Sequence, residues 1–462
     1  MAANSLANQS LPNGAGEDVL RLSELLSALG QALDLTEGQP EGHSVRCCWI
    51  GTAIGREYHL QESELWELYY TLLLKDVGCS SNAARITALY NTDDLAFKRD
   101  AKVVKDSLPH LFNFVVSHAG ETRPFKDRVH TLVKVLHQSW QIRHEIISTR
   151  CERGADIATR LRFSDKVAQG IRCLDEHWDG GGEPRRRKGE DIPLFSQIAL
   201  LAQVVDVFNT AIGRTAARDE IARRTGSWFD PALVAKFILA QGRPGFWEEL
   251  DSPHLEATIL DLEPARFAKP LDEDFLDDIA EAFADVVDSK SPYTSGHSSR
   301  VAAFTDRIAE ELGFSAERRR WLRRGALLHD VGKLGVSNTI LDKPGKLTDE
   351  EVAAMREHAA LTETILSRIS AFSELALVAG AHHERLDGKG YPKGLRGAEI
   401  APETRILTTA DIFDALTARR PYRDALPRDK ALGIMAAEVG TAIDPACFAA
   451  LRRVLAEGGA QP

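Results

Sequence analysis

Histidines and aspartates that could bind metal are concentrated between residues 297 and 411, a stretch without cysteine. Imidazole and carboxylate groups together suit iron, manganese, zinc or nickel. Seven such donors are too many for one tetrahedral ion, and they predict two metal ions with open coordination positions. The candidate ligands are His297, His329, Asp330, His358, His382, His383 and Asp411.

The adjacent residues His329 and Asp330 indicate how the two ions could be connected. Neighbouring side chains on a helix point about 100° apart, so the pair cannot easily share one ion from the middle of a helix. Gly332 follows closely and predicts that the pair lies at a helix end. At such an end the aspartate can bridge two ions while the histidine binds one of them.

The grouping of histidines carries more weight than any single one, since a lone histidine on a helix is usually a surface or core residue. Five of the six histidines after Phe246 belong to the candidate set. The exception is His254, which we interpret as structural or exposed. The joint pattern therefore favours a metal site over scattered structural histidines.

Length and composition limit the class of protein that carries these residues. The 462 residues suffice for two large domains or three smaller ones. A net charge of −11 argues against binding to a nucleic-acid polymer or an acidic membrane. The six cysteines are scattered, which predicts neither a disulfide framework nor a thiolate zinc site. We see no signal peptide and no apolar run near about 18 residues, so we expect a cytoplasmic protein without a membrane span.

Apolar residues recur at helical spacing along most of the chain, and the sequence predicts an all-α fold. Val301, Phe304, Ile308 and Leu312 form one stripe of this kind. Glycines and prolines interrupt the pattern between residues 241 and 261 and indicate a boundary between two halves. The predicted organisation is a disordered tail (1–17), a first domain (18–240), a linker (241–269) and a second domain (270–457).

The two predicted domains contain one repeated unit. Two matches are separated by 254 residues and a third by 208, so the first copy holds 46 more residues (254 minus 208). Three matches in order are best explained by duplication. The matching segments are 42–46 with 296–300, 73–78 with 327–332, and 179–184 with 387–392.

The first copy lacks most of the candidate ligands. His43 and Asp76 remain, but Lys75 stands opposite His329, and a lysine at a ligand position would repel a cation. We therefore predict a catalytically silent first domain that serves regulation, dimerisation or sensing. The extra residues, around 82–143, are where we expect a signal to act. The other replaced positions are Leu174 for His382, Asp175 for His383, Gln203 for Asp411, Arg150 for His358 and Cys79 for Lys333.

Two motifs in the second copy resemble a known family. His-Asp-Val-Gly-Lys at 329–333 is similar to the signature of HD-domain phosphohydrolases, and 382–392 resembles the HHExxDGxGYP motif of their HD-GYP subgroup. Segments 292–297, 340–345 and 411–417 also match. The resemblance covers roughly residues 270–455 and implies two HD-type helical domains in tandem, the second an HD-GYP domain and the first a degenerate copy.

The resemblance also implies an activity and a cofactor. Members of the HD-GYP subgroup are cyclic di-GMP phosphodiesterases of bacterial second-messenger signalling, and their di-metal site often holds iron. The seven candidate ligands match the family's ligand positions. Some members bind a third metal through a glutamate, but Tyr293 stands at that position here. We therefore expect two divalent metal ions, iron or else manganese.

Phosphodiester hydrolysis follows from such a pair of metals. A hydroxide bridging them is available near neutral pH, and the metals stabilise charge on the phosphoryl oxygens. Asp330 would hold both ions, and Lys333 would contact a phosphoryl oxygen or assist the leaving group. By resemblance, substrate contacts are expected at Arg420 and Arg423, and Arg385 is placed along the same groove.

Other interpretations stay open at the level of sequence. The substrate could be another cyclic dinucleotide or a nucleotide, and the product a linear dinucleotide or GMP. A non-catalytic nucleotide-binding scaffold is the alternative from a different class, although the complete ligand set favours an enzyme. A homodimer, and signalling partners that dock on the Gly-Tyr-Pro loop, are also compatible with the sequence.

Overall fold

The computed structural model describes residues 20–104, 108–118, 125–263 and 271–457. Within these ranges the chain is built from α-helices and short 3₁₀ turns, without a β-strand, so the predicted all-α fold is confirmed. The predicted disordered tail lies outside the described residues.

The described residues form 22 α-helices, numbered here in chain order. Those of the first half are α1 (Leu22–Thr36), α2 (His43–Glu57), α3 (Glu62–Leu74), α4 (Ala83–Tyr90), α5 (Asp94–Ala101), α6 (Leu108–His118), α7 (Phe125–Arg160), α8 (Asp165–Arg172), α9 (Leu194–Ala211), α10 (Arg214–Arg224) and α11 (Pro231–Gln241). Those that follow are α12 (Phe246–Leu250), α13 (Leu255–Asp261), α14 (Glu273–Asp288), α15 (His297–Glu311), α16 (Ala316–Leu328), α17 (Asn338–Leu341), α18 (Asp349–Ser367), α19 (Ser373–Gly380), α20 (Pro402–Thr417), α21 (Arg428–Ala437) and α22 (Pro445–Glu457).

Helix α15 shows why the apolar spacing produces these elements. The side chains of Val301, Phe304 and Ile308 recur every three or four residues and are all buried. This places one stripe of the helix against the core, which stabilises an amphipathic helix more than its intrinsic propensity does. The fourth residue of the predicted stripe, Leu312, lies just past the helix end and still packs against the core.

From the sequence we expect no segment apolar enough to span a membrane, but helix α9 is long and apolar enough to do so. Its 18 residues have a mean hydropathy of 1.3, which is enough to span a membrane by length and composition. However, 72% of the helix is buried inside the protein, where it packs against α2, α8 and α10. This environment is that of the core helix of a globular domain.

The two halves share one continuous apolar core. Helix α1 of the first half packs on the 3₁₀ turn Val331–Gly335 of the second. The buried Asp94 carboxylate of α5 accepts a hydrogen bond of 2.8 Å from the backbone N–H of Asn338. Two helices of the predicted linker range, α12 and α13, pack on α2 of the first half.

The extra residues of the first half form helices of their own. Helices α4, α5, α6 and the beginning of α7 occupy the predicted range 82–143. At the corresponding place in the second half, only α17 lies between the 3₁₀ turn Val331–Gly335 and α18. The added helices therefore lie between two elements that both halves have in common.

Candidate metal centre

The seven candidate ligands come from five helices or from the residues directly after them. His297 is the first residue of α15, His358 lies in α18 and Asp411 lies in α20. His329 and Asp330 directly follow α16, and the pair His382 and His383 follows α19. The structure brings all seven side chains to one place.

The predicted helix end at His329 and Asp330 is confirmed. Helix α16 ends at Leu328, and the 3₁₀ turn begins directly after Asp330. A Cβ atom on Gly332 would lie 2.0 Å from the carbonyl oxygen of His358, so only glycine allows the turn to approach α18 this closely. Thr362 joins the two elements, since its hydroxyl donates to the His329 carbonyl at 2.9 Å.

Asp330 lies between two groups of histidines. Its Oδ2 is 3.4 Å from Nε2 of both His297 and His329. Its Oδ1 is 3.5 Å from Nε2 of His358 and 3.7 Å from Nε2 of His382. One carboxylate thus offers one oxygen to each group, which is the arrangement of a ligand that bridges two ions.

Asp411 and His383 complete the two groups. Asp411 Oδ1 lies 3.4 Å from Nε2 of His297 and 3.9 Å from Nε2 of His329. His383 joins His358 and His382 in a second cluster, whose ligand atoms all lie within 4.8 Å of one another. Each group therefore holds at least three donors, enough to bind an ion and leave positions open.

Backbone carbonyls fix the orientation of three of the imidazole rings. Nδ1 of His329 lies 2.6 Å from the carbonyl oxygen of Ala326, and His358 and His382 make the same contact with residues three positions earlier. A ring that donates from Nδ1 presents the lone pair of Nε2 to the centre. Burial lowers the pKa of His358 and His382 to about 4, so both rings are neutral and ready to bind metal at pH 7.

Several atoms at the centre lack hydrogen-bond partners among the described residues. They are Nε2 of His297, Nε2 of His329 and Oδ1 of Asp330, all of them buried. Buried polar atoms without partners are costly, because they lose the hydrogen bonds that water would supply. Divalent ions at this place would satisfy all three, so the donor set fits the predicted metals.

Asp414 is a functional residue that is not among the seven candidate ligands. Its Oδ2 accepts a hydrogen bond of 2.7 Å from Nδ1 of His297, and its Oδ1 accepts one of 2.6 Å from Arg300. A carboxylate in this position orients a metal-binding imidazole. The signal was available in the sequence, since Asp206 stands 208 residues earlier at the same position of the repeat.

Tyr391 also lies at the centre. Its ring is 4.7 Å from that of His383 and 6.4 Å from that of His358, measured between centroids. The neighbouring loop is held by Glu384, whose carboxylate accepts hydrogen bonds from the backbone N–H groups of three residues, 393–395. The Gly-Tyr-Pro loop is therefore part of the wall of the centre.

The predicted substrate-contacting residues have different surroundings. Lys333 pairs with Asp330 and so faces the metal ligands. Arg385 is bound by Asp387 and Glu438, each at 3.0 Å. Arg423 donates to the carbonyl oxygens at the end of α20, including that of Leu416 at 2.8 Å.

Arg420 and Arg423 do not share a helix face. Helix α20 ends at Thr417, and the two arginines exchange backbone hydrogen bonds of 2.9 and 3.2 Å in a tight turn. The sequence predicts a helix end or a turn for this pair, and the structure has the turn. Proline at position 421 favours such a turn over a continued helix.

The first half keeps the supporting contacts of this centre. Nδ1 of His43 lies 2.6 Å from Asp206, as His297 does from Asp414, and Arg46 binds Asp206 as Arg300 binds Asp414. A Cβ atom on Gly78 would lie 2.0 Å from the carbonyl oxygen of Arg150, just as one on Gly332 would lie 2.0 Å from that of His358. The predicted equivalence of Arg150 and His358 is therefore supported by geometry.

Cations of the protein occupy the positions of the ligands in the first half. The Lys75 ammonium lies 2.9 Å from Nε2 of His43 and pairs with Asp76, and all three side chains are fully buried. Arg150 pairs with Asp175, the residues opposite His358 and His383. Since Asp206 and Lys75 bind the two nitrogens of His43, neither nitrogen is available to a metal.

Two clusters of the first half contain a cysteine near carboxylates. Cys47 lies with His43 and Asp206, and Cys79 lies with Glu37 and Asp76. Burial raises the pKa of both thiols above the usual range. A metal binds the thiolate form, so binding at either cluster would require the deprotonation of a buried thiol.

Comparison with known families agrees with the duplication. A model of the HD domain family matches residues 128–233 and 281–447, one segment in each half. The matched residues together make up more than half of the chain.

Individual relatives are phosphodiesterases. The chain is 55% identical to 3'3'-cGAMP-specific phosphodiesterase 3 of Vibrio cholerae over 95% of both chains. It is 43% identical to the cyclic di-GMP phosphodiesterase response regulator RpfG of Xanthomonas campestris over 35% of this chain and 43% of the relative.

A solved structure has the same fold. The crystal structure of a cyclic GMP-AMP-specific phosphodiesterase of Vibrio cholerae, V-cGAP3, is 50% identical to the chain and has a TM-score of 0.66, with 95% of this chain and 98% of the other covered. Together with the motifs and the histidine–aspartate centre, these matches establish that the chain belongs to the HD-domain family of metal-dependent phosphohydrolases, within its HD-GYP group of phosphodiesterases.

Proposed function

We propose that the chain hydrolyses 3'3'-cGAMP, a cyclic dinucleotide, in preference to cyclic di-GMP. The observation that carries this proposal is the 55% identity to a 3'3'-cGAMP-specific phosphodiesterase over 95% of both chains, first half included. The cyclic di-GMP phosphodiesterases match only about a third of the chain. The match to RpfG, for example, covers 35% of it. Their similarity makes cyclic di-GMP the second candidate substrate.

We propose that two divalent ions bind on either side of Asp330. His297, His329 and Asp411 would hold one ion with Oδ2 of Asp330. The histidines at 358, 382 and 383 would hold the other ion with Oδ1. Histidine and carboxylate ligands without a thiolate are compatible with iron, our first choice, and with manganese.

The residues of the chain have separate roles in this proposal. When bound, the ions would lower the pKa of water and attract charge that develops on the phosphoryl oxygens. Lys333, beside Asp330, is positioned to donate to a non-bridging phosphoryl oxygen. Tyr391 covers His383 and limits the access of bulk water to that side of the centre.

Asp414→Asn should lower metal affinity or kcat by about 10- to 100-fold, the usual effect of losing a carboxylate that orients a metal ligand, and metal content should fall with the affinity. An amide holds His297 and Arg300 less strongly than a carboxylate does. Metal content by mass spectrometry and steady-state rates would measure both effects. The matched control is Asp206→Asn, which makes the same change in the first half and should alter neither quantity. Equal losses in both variants would contradict the assigned role.

Substrate preference can be measured directly. Purified protein loaded with iron or manganese should hydrolyse 3'3'-cGAMP with a kcat/KM at least about tenfold above that for cyclic di-GMP, because specificity is a difference in transition-state binding. Chromatography of the products separates linear dinucleotide from mononucleotides. A preference for cyclic di-GMP would overturn the proposed substrate, and no turnover with either metal would overturn the proposed function.

A further inference from the structure

The first half has a cavity of about 320 Å³ at the place that corresponds to the mouth of the metal centre. We call it the first-half cleft. Among its lining residues are the counterparts of Lys333, His358, His383 and Asp411, namely Cys79, Arg150, Asp175 and Gln203. The first half therefore has an opening at the place where the second half has four of its site residues.

Positively charged side chains line this cleft, and one of them, Arg143, has no partner among the described residues. Lys102 is paired with Glu37 at 2.8 Å, and Arg150 is paired with Asp175. Arg143 of α7 is exposed, and the described residues offer it neither an ion pair nor a hydrogen bond. The cleft thus has a cation available to an anionic ligand.

Two further cations of the wall are engaged by the protein. The Lys98 ammonium donates to the carbonyl oxygens of Thr36 and Cys79, at 2.9 and 3.2 Å. Arg224 is bound by Glu220 at 2.6 Å. Both side chains are therefore already engaged, and neither is assigned to the ligand.

The inner wall combines apolar surface with one unsatisfied polar atom. Phe97, Ile146 and Val204 supply apolar side chains. Oε1 of Gln203 is buried and has no hydrogen-bond partner among the residues that the structure describes. A side-chain amide in this state can bind the polar edge of a ring that rests on the apolar wall.

We propose that the first-half cleft binds a purine nucleoside 5'-monophosphate, with the phosphate on Arg143 and the base against the apolar wall and Gln203. A volume of 320 Å³ lies at the lower end of the range for ligand pockets, about 300–1,000 Å³, and suits one nucleotide better than a cyclic pair. The choice of a nucleotide as ligand rests on the proposed function, in which the corresponding residues of the second half bind a cyclic dinucleotide. The binding itself does not depend on turnover.

The cleft is connected to the catalytic half through α5. Lys98 and Phe97 of this helix line the cleft, and Asp94 at its other end holds the backbone of Asn338. Asn338 follows the 3₁₀ turn that carries Lys333 by three residues. A ligand in the first-half cleft therefore contacts an element that supports the catalytic turn.

Calorimetric titration of the full chain with GMP and AMP tests the proposal. The Asp330→Ala variant is the starting protein, so that binding at the metal centre does not contribute. It should bind one nucleotide per chain, and adding Arg143→Gln should weaken that binding about tenfold or more, the worth of a hydrogen bond to a charged group. Gln141→Glu is the matched control, because it changes the charge of α7 by the same amount from a position outside the cleft.

Three results would overturn the proposal. The first is the absence of GMP and AMP binding to the Asp330→Ala protein, and the second is equal binding by the Arg143→Gln and Gln141→Glu proteins. The third is binding of inorganic phosphate or of 3'3'-cGAMP as tight as that of GMP with the same dependence on Arg143. Turnover of 3'3'-cGAMP by the wild-type protein is measured separately, so failure of this site and failure of the proposed function are distinguishable. Gln203→Leu gives an independent check, since it should weaken GMP more than inorganic phosphate.

Discussion

Asp330→Ala is expected to abolish phosphodiesterase activity, with a loss on the order of a thousandfold or more, because the variant should no longer retain its metals. The Asp330 carboxylate faces both groups of histidines, through Oδ2 at 3.4 Å from His297 and Oδ1 at 3.5 Å from His358. Its removal takes a ligand from each proposed ion and leaves the ammonium of Lys333 without its partner. The remaining imidazoles would hold the ions less tightly and at altered positions.

Metal content by mass spectrometry, together with single-turnover rates at saturating substrate, would measure this loss. The duplication supplies the matched control, Asp76→Asn, which changes the corresponding aspartate of the first half. That variant should keep its metal content and its kcat, although the loss of a buried charge lowers its stability. Full metal content in the Asp330→Ala protein would contradict the bridging arrangement. A loss of metal from Asp76→Asn protein that circular dichroism shows to be folded would show that the first half binds metal after all.

Lys75→Met is expected to lower the free energy of unfolding by about 3–5 kcal/mol, the usual cost of removing one partner from a buried ion pair. The Lys75 and Asp76 side chains are fully buried, and the ammonium also donates to Nε2 of His43. Methionine fills a similar space but leaves the Asp76 carboxylate charged and without its ammonium. Denaturant unfolding followed by circular dichroism would measure the change.

A second substitution separates charge from packing at this position. The double variant Lys75→Met with Asp76→Asn should recover most of the lost stability, because a buried pair replaced as a whole costs little. Lys346→Met, at an exposed lysine, is the control and should change stability by no more than about 0.5 kcal/mol. If the double variant were as unstable as Lys75→Met alone, the pairing of the two charges would not be the source of the effect.

Much of the fold could be predicted from residue spacing. The stripe in α15 recurs every three or four residues, and its members are buried where the period places them. Gly332 indicated the end of α16, because a glycine after the last helical turn is a local signal. Signals of this kind depend on a few neighbouring residues, so they can be read without the rest of the chain.

Contacts between distant parts of the chain could not be predicted from spacing. Within the range 241–269, which is predicted as a linker, the carbonyl oxygen of Phe246 in α12 accepts a hydrogen bond of 3.0 Å from the indole of Trp49 in α2. Contacts between residues this far apart in sequence leave no periodic pattern.

The sequence by itself determined the donor set, the helical periods and the duplication, because these depend on residue types and on spacing along the chain. Only the tertiary structure decided which oxygen of Asp330 faces which histidines, since that requires α15, α16, α18 and α19 to meet. It also decided that Lys75 fills the corresponding place in the first half, between His43 and Asp76. A lysine opposite a ligand predicts the loss of a metal, but its burial between these two partners follows from the packing of α2 against α3.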